Sequence, residues 1–109
     1  MIARIWYGWT APENAEEYER LLLNEVLPSI SQKSGSGYKG HQVLKKTSAT
    51  EIEFMTIIYF DSIATIKQFV GEDYQTAHIP EPAGKLLSKY NKKVEHYEVK
   101  DMNGSIYPK

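Results

Sequence analysis

Residues 51–60 read Glu-Ile-Glu-Phe-Met-Thr-Ile-Ile-Tyr-Phe, and this run decides the fold. Its β-branched and aromatic residues predict a strand. Successive side chains of a strand point to opposite faces. Ile52, Phe54, Thr56, Ile58 and Phe60 therefore share one face, and Glu53, Met55, Ile57 and Tyr59 share the other. From Phe54 onward both faces are apolar, whereas a sheet with one face in water alternates apolar and polar residues. Residues 2–9 (IARIWYGW) repeat the pattern, with Trp6 on one face, Ile5, Tyr7 and Trp9 on the other, and Arg4 as the one charge. A single layer of helices covers only one face. Burying one large apolar side chain is worth about 1.5–3 kcal/mol, so several left in water form a large exposed patch. The pattern predicts a homodimer in which two sheets pack face to face.

Working outward, Thr10-Ala11-Pro12-Glu13 offers a capping box with an early proline. A helix follows to about Gln32, its apolar face built from Ala15, Tyr18, Leu22, Val26, Leu27 and Ile30. Pro28 lies inside it and should free the carbonyl of Asn24 and bend or end the helix. Residues 38–46 read as the second strand, and residues 47–50 as a turn before the third. Asp61-Ser62 caps a second helix whose buried stripe is Ile63, Ile66, Phe69 and Val70, with Gly71 loosening its end. Residues 72–81 read as irregular or short-helical. Residues 82–90 give a last short helix through Ala83, Leu86, Leu87 and Tyr90, and residues 93–100 give the fourth strand. The tail, residues 101–109, holds Gly104 and Pro108 and is expected to lie against a partner or be loose.

The order β-α-β-β-α-(α)-β is the split βαβ, ferredoxin-like arrangement. It is an α+β fold with a four-stranded antiparallel sheet and helices on one face. The 109 residues make a single domain, 1–109, with no repeat, linker or low-complexity tract. Thirteen basic and 14 acidic residues leave a net charge of -1, which argues against a nucleic-acid binder held by phosphate contacts. No apolar run approaches the roughly 20 residues needed to span a bilayer, and the N-terminus has no signal-peptide pattern. A cytoplasmic protein with no membrane partner is expected. The chain has no cysteine, which excludes disulfides, thiolate metal sites and Cys nucleophiles.

With this topology, the stretches IARIWYGWT, EVLPSI, EFMTIIYFDS and GEDYQTAHIPEPAGKLL leading to EHYEV resemble the antibiotic-biosynthesis-monooxygenase-like family of dimeric α+β barrels. They span nearly the whole chain and are patterns of fold rather than catalytic signatures. The resemblance implies a cofactor-independent monooxygenase, or related oxidoreductase, acting on a small aromatic phenol or quinol. In the haem-degrading branch of the family a His in an Ala-His setting after the second helix ligates iron, as Ala77-His78 would here. That branch also uses an Asn on the first strand and a Trp on the second helix. This chain has Ile5-Trp6-Tyr7-Gly8 and Gln68-Phe69 at those places. The polyketide-oxygenase branch uses Asn, Trp, Tyr and Arg around its substrate, for which Trp6, Tyr59 and Tyr74 are loose counterparts.

His78, between a helix and a loop stiffened by Pro80 and Pro82, is the candidate catalytic base. The competing reading is a loop His bonded to backbone. Trp6, Tyr59, Tyr74, Tyr90 and His96 are candidate substrate-binding residues, against the plainer reading that they fill the core. Either His96 or Tyr97 must point toward the helices, and His41 and His96 are expected at the dimer interface. No His pair has metal-site spacing, so no metal is expected, and no cofactor. Gly35-Ser36-Gly37-Tyr38-Lys39-Gly40 leads into a strand rather than a helix and reads as a turn, not a phosphate loop. The alternative to an enzyme is a non-catalytic dimeric domain that binds a small molecule or serves a stress response. An open cavity reaching His78 would favour the enzyme, and a filled interior the alternative.

Overall fold

A computed structural model of the chain describes residues 1–104; Pro108 and the rest of residues 105–109 lie outside the described residues. The chain folds as β1 (Ile2–Thr10), α1 (Ala15–Leu21), α2 (Leu27–Ser34), β2 (Tyr38–Thr47), β3 (Ile52–Phe60), α3 (Ile63–Val70), α4 (Glu81–Leu86), β4 (Lys89–Tyr90) and β5 (Glu95–Glu98). The sheet is antiparallel, in the order β2-β3-β1, and β4 and β5 both pair with the outer edge of β1. The fourth strand position is thus filled by two short strands. The architecture is the expected ferredoxin-like one, with the helices packed on one face.

The β1–β3 register runs from Ile2 opposite Phe60 to Thr10 opposite Ile52. It places Arg4, Trp6, Gly8 and Thr10 on the same face as Phe54, Thr56, Ile58 and Phe60. This is the helix side: Phe54 meets Tyr18 of α1 edge-on at 4.9 Å, and Phe60 stacks on Phe69 of α3 at 6.0 Å. Tyr18, Leu27, Phe54, Phe60 and Ile66 are fully buried there. The other face carries Ile5, Tyr7, Leu44, Met55, Ile57, Tyr59 and Tyr97, with no helix over it. Leu44 and Tyr97 are 45% and 54% exposed. His41 pairs with Ile58 and His96 with Arg4, so both imidazoles stand on the helix side. That corrects their expected place at a sheet–sheet interface, and it is Tyr97 that faces the open side.

Three local expectations are also corrected or narrowed. Thr10 does not cap the first helix. Its ladder position opposite Ile52 turns its side chain into the core, where it is fully buried, and the chain enters α1 through a 3-10 turn with Ala11 at its start and no side-chain cap. Of the two outcomes expected at Pro28, a bend or an end, the end does not occur. A π-helical segment, Leu22–Val26, joins α1 to α2, and the Leu27 N–H reaches back to the Leu22 carbonyl. One extra residue in that turn absorbs the missing proline donor, as π-bulges do. Tyr90 is not helical. The chain leaves α4 at Leu87 in extended backbone, and Ser88 and Asn91 donate to the carbonyls of Trp9 and Tyr7. Those bonds satisfy an edge of β1 that would otherwise be bare.

Ser62 caps α3 as expected, its Oγ accepting from the Thr65 N–H. The glycine-rich segment is a 3-10 turn, Gly35–Gly37, leading into β2, which bulges between Tyr38 and Gly40. Gly40 has φ +133°, a conformation that favours glycine. Gly37 is buried against the α3 cap: a Cβ there would run into the Thr65 side chain, whose Oγ1 donates to Asp61 Oδ1, and the Gly37 carbonyl accepts from the Asp61 N–H at 2.9 Å. Gly37→Ala is expected to push Thr65 off Asp61 and to cost about 1–3 kcal/mol, read as a lower midpoint in urea unfolding.

Candidate functional site

Between the helix side of the sheet and the overlying helices lies a cavity of about 720 Å³. Its floor is Arg4 and Trp6 of β1 and Thr56 and Ile58 of β3. One wall comes from the π-helical segment and α2, including Leu22, Val26, Leu27 and Ile30. The other comes from Phe69 of α3 and the chain from Ala77 to Ala83. The π-helical turn at Pro28 therefore shapes a wall of the cavity. Glu25, Ser29, Lys33, His78, Pro80 and Pro82 are exposed and surround its mouth. A largely apolar pocket with few polar groups is the usual form of a small-molecule site.

Of the residues singled out from sequence, His78 and Trp6 line this cavity. Trp6 is fixed by its indole N–H, which donates to the Asn91 carbonyl at 2.7 Å, and Gly8 leaves room for its ring. Tyr90 packs beside Trp6, ring centroids 5.9 Å apart, and stands outside the lining. Tyr74 and His96 form an edge-on pair at 5.2 Å that flanks a shallow groove along β5. Tyr59 is on the opposite face, its hydroxyl donating to Gln42 Oε1 at 2.6 Å. The sheet thus separates Tyr59 from His78. Among the described residues, no three of His, Asp and Glu come together as a metal site, and no helix is long and apolar enough to cross a membrane.

Two floor residues carry polar groups that sequence reasoning missed. Arg4 is only 6% exposed, and burial lowers its guanidinium pKa to about 10, so it is charged at neutral pH. Its Nη1 donates to the Tyr74 carbonyl at 2.6 Å and to His96 Nε2 at 2.9 Å, and its Cζ lies 6.0 Å from the centre of the Phe69 ring. A guanidinium can only donate, so His96 Nε2 must accept and its proton must sit on Nδ1. Thr56 is 5% exposed, and its Oγ1 is buried with no hydrogen-bond partner. The available signal was a lone charge in an apolar strand, of the same parity as Trp6.

His96 is lowered to about 4, first by desolvation and then by the charge of Arg4. An unfolded chain would take up a proton near 6.5, so stability is complete above pH 6.5 and falls as the pH drops toward 4. His96→Gln keeps an acceptor for Arg4. Its unfolding is expected to depend less steeply on pH between 6.5 and 4 than that of the wild type, measured by urea denaturation across the window.

Neither a family model nor a curated protein sequence matches the chain. Its fold is that of several solved structures. A Deinococcus radiodurans protein named for the antibiotic biosynthesis monooxygenases superposes with a TM-score of 0.65 at 12% identity, over 98% of this chain and 100% of that one. The haem degrader MhuD of Mycobacterium tuberculosis, with two hemes in its active site, gives 0.62 at 16% identity over 95% and 100%. The ActVA-Orf6 monooxygenase of Streptomyces coelicolor, in complex with nanaomycin D, gives 0.57 at 16% identity over 99% and 91%. The chain therefore has the fold of antibiotic biosynthesis monooxygenase-like proteins. Likeness at this identity shows the fold alone, since one fold hosts many activities.

Proposed function

We propose that the protein is a cofactor-independent monooxygenase of a small aromatic phenol or quinol, bound in the cavity over Arg4, Trp6, Thr56 and Ile58. The observation that carries this reading is the cavity itself: it is open, mainly apolar, and has the His78 imidazole in its lining. A filled interior would have favoured a purely structural domain. Two solved proteins of the same fold carry monooxygenase in their names, one of them in complex with nanaomycin D. In the proposed reaction His78 removes a phenolic proton, and the electron-rich anion reduces dioxygen. A ring carbon ortho or para to that oxygen, a CH₂ in the keto tautomer, then becomes C=O, one oxygen atom entering the product and the other leaving as water. Trp6 offers a fixed aromatic surface on which a flat ring can stack.

The assembly belongs to the same proposal. Ile5, Tyr7, Leu44, Met55, Ile57 and Tyr97 make an apolar sheet face that a second copy would cover. Tyr59 would then act at that interface, while Tyr74, Tyr90 and His96 would support the cavity from behind its lining. Light scattering is expected to give twice the 12.5 kDa chain mass, and Ile57→Lys is expected to reduce it toward one chain.

A second reading, haem binding, is favoured by the place of His78 in the cavity wall, where an imidazole can hold iron. Bound haem would supply oxygen activation. Asn is absent from β1 and Phe69 stands on α3, so only one of the three residues that the resemblance implies for haem degradation is in place.

A thermal-shift panel with naphthohydroquinones, anthrones, catechols and hemin separates the readings. A ligand at 100 times its Kd adds about 2.7 kcal/mol, or roughly 10 °C or more for a domain of this size. A shift with anthrones or quinols, with oxygen uptake reduced roughly 10²–10⁴-fold in His78→Ala, is the expected outcome. A shift without oxygen uptake would identify a binding domain instead. A shift with hemin alone, lost in His78→Ala, would select the haem reading.

A further inference from the structure

We propose that the cavity is an anion site, and that its ligand is an aromatic carboxylate or phenolate whose negative group docks on the guanidinium of Arg4 while a second polar group engages the Thr56 hydroxyl. The proposal rests on the aromatic reading of the pocket and adds the charge and polarity of the ligand.

Arg4 is a cation in the wrong place for a protein that only needs a core. Buried charges are ordinarily paired with an opposite charge, because desolvation is otherwise uncompensated. The ion pairs of the described residues run among Arg20, lysines and carboxylates on the surface, and none includes Arg4. Among the described residues, the groups that meet the guanidinium are neutral: the Tyr74 carbonyl, the unprotonated Nε2 of His96 and the face of Phe69. These contacts orient the fork through Nη1 and leave its charge unbalanced. Arg4 also lines the cavity, so the missing negative charge can arrive from solvent through the mouth.

Thr56 points to the same ligand independently. Thr56 lines the cavity, and its Oγ1 is buried with no partner among the described residues, although buried hydroxyls are ordinarily satisfied. Arg4 and Thr56 are diagonal neighbours on adjacent strands, with Trp6 directly across from Thr56. Diagonal positions are roughly 7–8 Å apart at the backbone, so one bicyclic aromatic with a polar group near each end can reach both side chains. Trp6, a third corner of the same set, lines the cavity as well. Lys33 and Glu25 at the mouth offset each other, so the attraction rests on Arg4 itself, where a charge-assisted pair is about twice as strong as a neutral one.

The test compares 6-hydroxy-2-naphthoate with its neutral carboxamide by isothermal titration calorimetry on the full chain. The wild type is expected to bind the acid at least tenfold more tightly than the amide. Arg4→Met should erase that preference while leaving the amide within threefold of its wild-type affinity, and Arg4→Lys should restore part of the preference. Thr56→Val removes an unpartnered hydroxyl, should fold at least as stably, and should weaken the acid severalfold. It keeps the test alive if Arg4→Met does not fold. As an independent readout, the acid should raise the His96 midpoint in an NMR titration, because a bound anion offsets the field of Arg4, and the amide should not. Equal binding of acid and amide by the wild type, or an acid preference that survives Arg4→Met, overturns the anion site and leaves the aromatic pocket standing. Binding of neither probe, together with no response to any quinol or anthrone, overturns both.

Discussion

The nine-residue ladder between β1 and β3 is the constraint on which the rest of the molecule depends. Side chains alternate along it with a period of two, so a slip of one residue would exchange the faces of the whole strand. In the observed register Arg4, Trp6 and Gly8 look toward the helices, and Ile5 and Tyr7 look away. Shifted by one, Ile5 and Tyr7 would fill the cavity and Arg4 would lie on the open face. Backbone hydrogen bonds at both ends of β3 fix its pairing with β2 on the other side. The Asp61 N–H donates to the Gly37 carbonyl at one end, and Ser48 pairs with Glu51 across the β2–β3 turn at the other.

Much of this was legible in the sequence, because the strongest signals are local and periodic. The parity of residues 52–60, the Ser62 cap and the apolar stripe of α3 each follow from a rule about spacing, and each element is present. What was not legible depends on contacts distant in sequence. Thr10 and Glu13 have the spacing of a capping box, yet Thr10 belongs to the ladder and its side chain is committed to the core before the turn begins. Tyr90 continues an apolar helical pattern, yet β1 presents unpaired backbone groups more than 75 residues upstream, and residues 88–91 satisfy them. Tyr59 reads as a site residue by composition, and the pleat alone puts it across the sheet from His78. Arg4 was visible only as the single charge of a strand. That its neighbours would all be neutral requires Tyr74, Phe69 and His96 to converge, and no spacing rule links those positions to residue 4.

The two faces of the sheet divide the physical work. The open face is apolar but continuous, and its tyrosine and glutamine can satisfy each other, as Tyr59 and Gln42 do. A second sheet can cover its middle, while Glu53, Lys46 and Glu95 stand on the same face nearer its margins. The helix side is different. It is packed near Phe54, Phe60 and Ile66, and open near Trp6, Thr56 and Ile58. The change from closed to open follows the helix above it. At the packed end α1 brings Tyr18 onto Phe54. Beyond Leu21 the helix widens into a π turn and then carries Pro28.

That widening links a local backbone event to the site. A proline inside a regular helix clashes with the carbonyl one turn back, and two outcomes relieve the clash: the helix stops, or the preceding turn takes in an extra residue. Here the turn takes in a residue, so the helix continues to Ser34. Leu22 and Val26, from the widened turn, and Leu27 and Ile30, from α2 beyond it, all line the cavity. Had the helix ended at Leu27, Ile30 and Lys33 would have left the wall, and the floor around Arg4 and Thr56 would stand open to water. The unmet charge and the unmet hydroxyl are thus properties of an enclosure that a π turn makes possible, and the enclosure gives a charge-assisted contact more weight than it would have at the surface.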